Sequence, residues 1–352
     1  MPNPTLTRAI DALASRRDLS EEDAAEVLAE IMHGDVSETQ IAAFLIALRT
    51  KGETVEELAG LARTMRALSA HVLSDREDLL DTAGTGGGRS TFNVSTTAAL
   101  IAAGAGCALA KHGNRSATSR SGSADLLEAL GARIDLDPQA VAACIEQAGF
   151  GFMFAPAHHQ ATRFVVPVRH ELAVRTVFNL LGPLTNPAGA PRQLIGVSDA
   201  SFLERIAGAL ATLGVARALV VAGEDGLDEV SASATTKVVE VDGEQLRRYE
   251  IDPQELGIDV VLARAHRVEG GTPQENATVT RGILEGPGGG GGAPAGTELA
   301  VVNAGAAIYV AGGAQTIFDG VRAARDAIAG GSAAAALERY VAASQKLATA
   351  RA

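Results

Sequence analysis

The sequence predicts an α/β protein with a small N-terminal helical domain and a large α/β domain, whose central, mostly parallel sheet is flanked by helices. Helix-capping patterns and helical apolar spacing fill the first part of the chain. From about Leu79 onward, short apolar strand candidates alternate with longer helical patterns, and glycine is frequent at their junctions. We therefore expect a small domain over 1–72, with a returning helical segment near 168–186, and a large domain over 73–167 and 187–352.

Composition and charge limit the class of protein. The chain has 352 residues, 47% of them hydrophobic, which is enough for a sizeable core. Its 42 acidic and 30 basic residues give a net charge of -12, which argues against general binding to nucleic acid or to an anionic membrane. Cys107 and Cys144 lie in apolar segments without metal-ligand spacing, and no apolar run is long enough to span a bilayer. We expect a soluble, cytoplasmic protein that binds neither nucleic acid nor membrane.

The N-terminal segment repeats one helix-start signal. A hydroxyl side chain stands three residues before a side chain that can reach back to it, as in Ser20 and Asp23, Ser37 and Gln40, and Thr54 and Glu57. Helically spaced apolar residues follow the starts, and Gly34 and Gly52 are placed to end two of the helices. These patterns predict a small helical unit.

The rest of the chain alternates strand and helix signals. The strand candidates are Leu79–Leu80, Cys107–Ala110, Phe152–Phe154, Leu194–Val197 and Ala218–Ala222, with helices near Ala98, Asp125, Gln139 and Phe202. Two further strands, Lys237–Val241 and Leu246–Ile251, flank a tight turn at Asp242-Gly243. The glycine-rich tract Gly286–Gly296 is typical of a mobile surface loop.

The stretch DTAGTGGGRSTFNVST, Asp81 to Thr96, follows a strand candidate and precedes a helix expected to begin near Ser95 or Thr96. Glycines let backbone N–H groups approach an anion, and a helix N-terminus adds free donors and a favourable dipole. The motif matches neither the P-loop nor the dinucleotide fingerprint. Taken alone, it leaves a phosphate cradle and a plain turn equally open.

Two other loops favour the phosphate interpretation. The segment Lys111 to Gly131 enters a helix with the cations Lys111 and Arg115, among others, beside neutral donors, which suits a multiply charged ligand, although a solvated capping turn is the alternative. After the strand candidate Ala218–Ala222, adjacent Asp228 and Glu229 offer oxygen ligands of the kind that Mg²⁺ prefers, although a simple acidic turn has the same composition. Together the loops predict an enzyme that acts on an activated phosphate ester.

The segment Phe154 to Gly189 carries histidines and arginines without zinc-type spacing. His158 and His159 are neighbours and would point apart on a regular element. Arg169 could pair bidentately with a carboxylate, but a surface arginine on a helix is equally compatible with its position.

These motifs together closely resemble the anthranilate phosphoribosyltransferases of tryptophan biosynthesis. GTGGG, FNVST, KHGNR, SGSADLLEALG, PVRHEL, RTVFNLLGPLTNP and GEDGLDEVS follow the family's order, and the likeness extends over nearly the whole chain. The resemblance implies a homodimer formed through the helical domain, a Mg²⁺ cofactor, and a transferase that joins 5-phosphoribosyl 1-diphosphate (PRPP) to the amine of anthranilate. It implies no covalent nucleophile and no strong general acid or base.

The resemblance also implies residue roles, motif by motif. For the phosphoribosyl donor it implies Gly84, Gly87, Gly88, Thr91, Asn93, Ser95, Thr96, Lys111, His112, Gly113, Asn114, Arg115, Ser119 and Ser123. For anthranilate it implies Gly84, Asn114, His159 and Arg169, and for the metal it implies Ser95, Asp228 and Glu229.

Three positions depart from the family pattern. The family commonly has Asp after GTGG, where Gly88 stands here, and the distance to Asn93 is one residue shorter than usual. The usual His-Pro-Ala-Met is His159-Gln160-Ala161-Thr162, and the usual glycine after PVRHEL is Ala173. The alternatives to the transferase are a pyrimidine nucleoside phosphorylase-type enzyme and a non-catalytic nucleic-acid-binding relative of the same fold.

Overall fold

The computed structural model describes residues 2–116, 119–265, 269–286 and 294–349. Its N-terminal part is a bundle of α1 (Pro4–Ala14), α2 (Glu21–His33), α3 (Glu38–Lys51) and α4 (Val55–Ala67). The hydroxyls of Ser20, Ser37 and Thr54 each accept the backbone N–H three residues on, as predicted. Of these three helix starts, the one at Thr54 forms the reciprocal capping box, where the Glu57 carboxylate returns to the backbone N–H of Thr54.

A seven-stranded sheet forms the centre of the large part of the molecule. Its strands are β1 (Leu80–Gly84), β2 (Leu109–Gly113), β3 (Phe150–Phe154), β4 (Arg192–Gly196), β5 (Arg217–Gly223), β6 (Thr236–Asp242) and β7 (Gln245–Ile251). They lie in the order β3-β2-β1-β4-β5-β6-β7, with parallel pairing from β3 to β5 and antiparallel pairing for β6 and β7. The predicted fold class, a helical bundle joined to a mostly parallel sheet flanked by helices, is confirmed.

The remaining helices cover the two faces of the sheet. They are α5 (Val94–Gly104), α6 (Ser123–Ala129), α7 (Pro138–Ala148), α8 (Ala155–His158), α9 (Val166–Leu172), α10 (Phe178–Leu184), α11 (Leu203–Thr212), α12 (Val260–Ala265), α13 (Pro273–Glu285), α14 (Pro294–Val310), α15 (Ile317–Ala329) and α16 (Ser332–Thr349). Residues 287–293 of the predicted glycine-rich loop lie outside the described residues, but the prediction was wrong for 294–296, which begin α14.

The core consists of two apolar clusters, one on each face of the sheet. On β4, Leu194 belongs to the cluster that contains α5 and α14, whereas Ile195 belongs to the cluster that contains the helical bundle. This alternation follows from the two-residue period of a strand. The returning helices α9 and α10 contribute to the second cluster, so the bundle packs continuously onto the sheet. No described helix combines the length and the apolar character that crossing a bilayer requires.

The polar start of β1 explains why the sequence predicted too short a strand there. Asp81 is 1% exposed and accepts hydrogen bonds from the His112 backbone N–H at 3.1 Å and from the Asn186 side chain at 2.7 Å. Such a satisfied buried carboxylate breaks the apolar pattern without ending the strand.

Candidate active site

The candidate site lies at the carboxyl ends of β1 and β4. From β1 the chain builds β2 and β3 on one side, whereas β4 and β5 lie on the other side, so the strand order reverses between β1 and β4. In open α/β sheets, ligands bind in the crevice at such a switch point. Gly84 and Gly196 are paired at this end of the two strands, and their small size leaves the crevice open to the loop that follows β5.

Asp228 lies in a pocket walled by three glycines. Its Oδ2 accepts a hydrogen bond of 2.9 Å from the Gly86 backbone N–H. A Cβ atom would stand 2.8 Å from Asp228 Oδ2 at Gly84, 2.8 Å from Oδ1 at Gly88, and 1.6 Å from the Asp228 carbonyl oxygen at Gly196. The glycine loop and the acidic loop therefore touch at distances that only glycine allows.

Beside Asp228, three further predicted residues converge. Lys111 is 1% exposed, and its Nζ donates to the carbonyl of Thr82, to Thr82 Oγ1 at 3.2 Å and to Ser95 Oγ at 3.4 Å. Burial, then the neighbouring Asp228, raises the pKa of Glu229 to about 8, although Lys111 and the Ser95 backbone N–H oppose this shift. Burial likewise raises the pKa of Asp228 and lowers that of Lys111. The charge of Lys111 on Glu229 and that of Arg175 on Asp228 do not offset the burial of this carboxylate pair, which leaves room for additional positive charge.

The residues present suit a cation that is coordinated partly by the protein and partly by a bound ligand. They suit a cation coordinated by protein groups alone less well. The described part of the chain has no group of three or more histidine, cysteine, aspartate or glutamate residues arranged to hold a metal ion. Two carboxylates with a nearby hydroxyl, on Asp228, Glu229 and Ser95, match the few protein ligands that Mg²⁺ uses when substrate phosphates and water complete its coordination.

Asn93 joins three loops. Its Oδ1 accepts from Ser121 Oγ at 3.0 Å and from Asn276 Nδ2 at 2.8 Å, and its Nδ2 donates to the Ser121 carbonyl at 3.1 Å. A Cβ atom at Gly270 would stand 2.4 Å from the Thr91 carbonyl oxygen, so the chain before α13 packs on the glycine loop. Thr96 is fully buried on α5, and its hydroxyl has no partner among the described residues.

The loop after β2 is held by the start of α6. The Arg115 guanidinium donates to Asp125 at 2.8 Å and to Glu128 at 2.5 Å, so it is turned towards α6. Asn114 Oδ1 accepts from the Arg115 backbone N–H at 2.7 Å. Ser119 Oγ lies 3.2 Å from the Ser121 carbonyl oxygen, which Asn93 also contacts.

Two smaller contacts complete the predicted donor set. A Cβ atom at Gly113 would lie 3.1 Å from the Cβ of Ser123, so the end of β2 touches the first turn of α6. Gly87 has a φ of +81 and lies at the exposed tip of the glycine loop.

Two predicted histidines form a buried pair at the domain boundary. The ring centroids of His112 and His159 are 5.1 Å apart. Carbonyl oxygens can only accept, so His112 Nδ1 donates to Gly182 at 3.2 Å and His159 Nε2 donates to Thr185 at 3.0 Å. Burial lowers the pKa of His112 to about 3 and that of His159 to about 4. Both rings are therefore neutral near pH 7.

Arg169, on α9, is a half-buried cation whose guanidinium lies 5.4 Å from the centre of the Phe178 ring. Burial lowers its pKa. In the described residues it forms no ion pair with a carboxylate, so its charge remains available to a ligand.

The sequence did not indicate four residues that shape this site. Arg175 and Ser198 contact the glycine loop, Asn276 binds Asn93, and Gly196 accommodates the Asp228 backbone. A glycine at the end of a strand candidate could have pointed to Gly196, but the role of Asn276 has no local signal.

Comparisons with known proteins agree with this architecture. The family model described as "Glycosyl transferase family, a/b domain" matches residues 76–334, and the one described as "Glycosyl transferase family, helical bundle domain" matches residues 7–69. An anthranilate phosphoribosyltransferase of Rubrobacter xylanophilus is 51% identical over 97% of this chain and 98% of its own length.

Solved structures agree as well. The anthranilate phosphoribosyltransferase of Thermus thermophilus superposes with a TM-score of 0.88 at 46% identity, covering 96% of this chain and 99% of its own. The enzyme of Saccharomyces cerevisiae, solved in complex with PRPP and Mg, has a TM-score of 0.85 at 28% identity and covers 97% and 98%. The chain therefore belongs to the anthranilate phosphoribosyltransferase family.

Proposed function

We propose that this enzyme is a pentosyltransferase that moves the phosphoribosyl group of PRPP to the amine of anthranilate and releases diphosphate, as a step of tryptophan biosynthesis. The observation that carries the proposal is the glycine-walled pocket of Asp228, which brings a glycine loop, paired carboxylates and Lys111 to the sheet's switch point. The guanidinium of Arg169 on the neighbouring segment, which forms no ion pair within the described ranges, supports an acidic acceptor.

The donor would bind along the glycine loop and the loop after β2. Backbone N–H groups at Gly87 and Gly88 and the N-terminal turn of α5 offer uncharged donors to an anion, and the helix dipole favours negative charge there. Lys111 supplies a fixed, buried cation. The further donor contacts in this proposal are Gly84, Thr91, Asn93, Ser95, Thr96, His112, Gly113, Asn114, Arg115, Ser119 and Ser123.

Mg²⁺ would be held by Asp228 and Glu229, with Ser95 nearby. When bound, the ion would neutralise the charge that develops on the leaving diphosphate. The raised pKa values of both carboxylates show that their charged forms are destabilised in this buried site. A bound cation would offset that destabilisation.

The acceptor would lie between the domains. Arg169 suits the anthranilate carboxylate, because a guanidinium binds a carboxylate bidentately and, among the described residues, no carboxylate pairs with this one. His159, neutral and fixed on Thr185, would form part of the acceptor's surroundings together with Asn114 and Gly84.

Catalysis in this site rests on positioning and electrostatics. The amine of anthranilate is neutral near pH 7, so no strong base is required to make it a nucleophile. Lys111 and the backbone N–H groups stabilise negative charge on the departing diphosphate, while the protein holds the amine on the opposite face of the ribose. In-line attack would invert the anomeric centre.

The decrease in anthranilate fluorescence after addition of PRPP and Mg²⁺ tests the proposed function. We expect consumption that requires both additions. Absence of consumption at high enzyme concentration would contradict the proposal, and phosphorolysis of thymidine or uridine in its place would identify a nucleoside phosphorylase.

A double variant tests the metal site. Asp228→Asn with Glu229→Gln should weaken turnover supported by Mg²⁺, because the two carboxylate ligands become neutral. Wild-type rates in this variant over a Mg²⁺ titration would contradict the assignment. Glu224→Gln, in the same loop but exposed, is the matched control.

The same proposal includes an assembly and a location. The proposed homodimer would form through the helical part, where Ile46 on α3 and Val174 after α9 are 37% and 44% exposed. The packing of α9 on α3 and of α10 on α4 supports the assignment of 168–186 to the same domain as 1–72, with the rest of the chain as the large domain. Cys107 and Cys144, both buried and free, support a cytoplasmic location.

A further inference from the structure

Arg175 connects both sides of the candidate site. Its guanidinium donates from Nη1 to Ser198 Oγ at 3.1 Å and from Nη2 to the Gly86 carbonyl at 3.4 Å. Its own carbonyl oxygen accepts a hydrogen bond of 2.8 Å from Arg49, which belongs to α3 of the helical bundle. A single residue thus bridges the bundle and the glycine loop.

The contact with the glycine loop is a close one. A Cβ atom at Gly87 would lie 2.7 Å from Arg175 Nη1, so the guanidinium rests on the backbone of Gly87. Ser198 Oγ also donates to the Gly86 carbonyl, at 3.0 Å. Because consecutive glycines have little conformational preference of their own, such contacts decide the shape of the loop.

The segment that carries Arg175 is fixed at both ends. At its start, Ala173 adopts the left-handed conformation with a φ of 51 directly after α9. At its end, the Thr176 backbone N–H donates to Asn179 Oδ1 at 3.0 Å as α10 begins. This segment follows Arg169 within a few residues. A displacement of Arg175 would therefore also move the backbone near Arg169, the residue proposed to bind the acceptor.

The Arg175 guanidinium is held by neutral partners rather than by a carboxylate. None of the ion pairs in the described residues includes Arg175, whose two side-chain partners are a hydroxyl and a carbonyl. Binding at the glycine loop and the state of this segment are therefore linked by direct contact.

We propose that Arg175 is a positioning residue that couples acceptor binding to donor binding across the domain boundary. The proposal rests on the roles proposed above for Arg169 and for the glycine loop. An anion bound at the glycine loop orders Gly86 and Gly87. Because Arg175 contacts both glycines, this ordering favours the conformation of the segment from Arg169 to Arg175 in which Arg169 binds the acceptor. By linkage, the acceptor strengthens anion binding by the same factor.

Equilibrium binding without turnover tests this coupling. Anthranilate is titrated by fluorescence with and without inorganic diphosphate and Mg²⁺, which fill the leaving-group position but cannot react. In the wild type, diphosphate with Mg²⁺ should tighten anthranilate binding at least about fivefold. In Arg175→Ala this ratio should fall to about one, whereas Arg175→Lys should retain part of it.

Matched variants separate coupling from loss of structure. Arg163→Ala removes an exposed guanidinium that packs on Phe164, shortly before the returning segment, and should keep the wild-type ratio. Ser198→Ala removes one partner of Arg175 together with the hydrogen bond from Ser198 Oγ to the Gly86 carbonyl, and should lower the ratio partially.

Two results would overturn the proposal: an unchanged ratio in Arg175→Ala, or a wild type in which diphosphate does not affect anthranilate binding. Neither result is the failure of the proposed function, which would show separately as a wild type that consumes no anthranilate with PRPP. If Arg175→Ala does not fold, a wild-type ratio in Ser198→Ala would count against the proposal.

Discussion

Replacing Gly88 with alanine should weaken the turnover that Mg²⁺ supports, through the displacement of Asp228. The new methyl group would stand 2.8 Å from Asp228 Oδ1, 2.8 Å from the Gly226 carbonyl oxygen and 3.1 Å from the Asp228 backbone nitrogen. Two of these three atoms are backbone atoms, so rotation of the Asp228 side chain alone cannot relieve the overlap. The acidic loop must move away from the glycine loop.

The size of the effect follows from the contact that is lost. Moving Asp228 breaks its 2.9 Å hydrogen bond with the Gly86 N–H, and hydrogen bonds to charged groups contribute about 1.5–3 kcal/mol. If the whole loss falls on the transition state, kcat/KM decreases roughly 10- to 150-fold. The concentration of Mg²⁺ required for half-maximal rate should increase in the same variant.

Initial rates of anthranilate consumption over a Mg²⁺ titration provide the assay, with circular dichroism as a check that the variant is folded. Gly182→Ala is the control, because in the part of the chain that the structure describes its methyl group would meet no atom within 4 Å outside its own helix. Wild-type kcat/KM and wild-type Mg²⁺ dependence in Gly88→Ala would refute the argument that glycine is required there.

Three further predictions concern the acceptor, pH and backbone strain. Arg169→Ala should raise KM for anthranilate about 10- to 150-fold and leave KM for PRPP nearly unchanged in steady-state assays, since only the acceptor carboxylate loses its partner; an unchanged KM for anthranilate would remove that role. The folded-state pKa of His159, about 4, lies below its unfolded value of about 6.5. The stability that the neutral His159 ring contributes is therefore lost as the pH falls from about 6.5 towards about 4. Glu229 titrates with the opposite sign, so the test compares the free energies of unfolding of wild type and His159→Gln, measured by urea denaturation. Between about pH 7.5 and 5.5, the free energy of unfolding of the variant should rise by about 1.4 kcal/mol relative to that of wild type. A difference that does not change with pH would contradict the assignment. Ala173→Gly should raise the free energy of unfolding by about 0.5–1 kcal/mol, because Ala173 has a φ of 51, which favours glycine. The control Ala335→Gly, in α16, should lower it by about 1 kcal/mol. Equal effects of the two substitutions would rule out strain at Ala173.

The helical part was predictable because its signals are local. A capping hydroxyl at Thr54 and its partner Glu57 are three residues apart, and the structure forms the interaction that the pattern predicts. The strands were predictable where they are apolar, as at Leu194, but not where a buried polar side chain interrupts the pattern. Asp81 is satisfied by His112 and Asn186, which lie far from it in sequence, so no local pattern could reveal it as a strand residue.

The site was predictable as a set of loops but not as a set of contacts. Gly86 and Asp228 are 142 residues apart, and Asn93 and Asn276 are 183 residues apart, so only the order of the strands brings each pair together. The predicted role of Arg115 as a donor contact stays a prediction, because its guanidinium is engaged by α6 in the structure. Loop composition indicates which chemistry is possible, whereas partners depend on tertiary packing.

Gly88 combines the two kinds of information. As a departure from the family pattern, it removes a carboxylate from the donor loop. In the structure, the space where any side chain of residue 88 would begin is occupied by the carboxylate of Asp228 and the carbonyl of Gly226. The loop therefore keeps a carboxylate beside Gly86, but that carboxylate comes from the acidic loop. A residue with a side chain at 88 would separate the two loops. Glycine at 88 therefore allows Asp228 to approach the glycine loop and to accept the hydrogen bond from the Gly86 N–H.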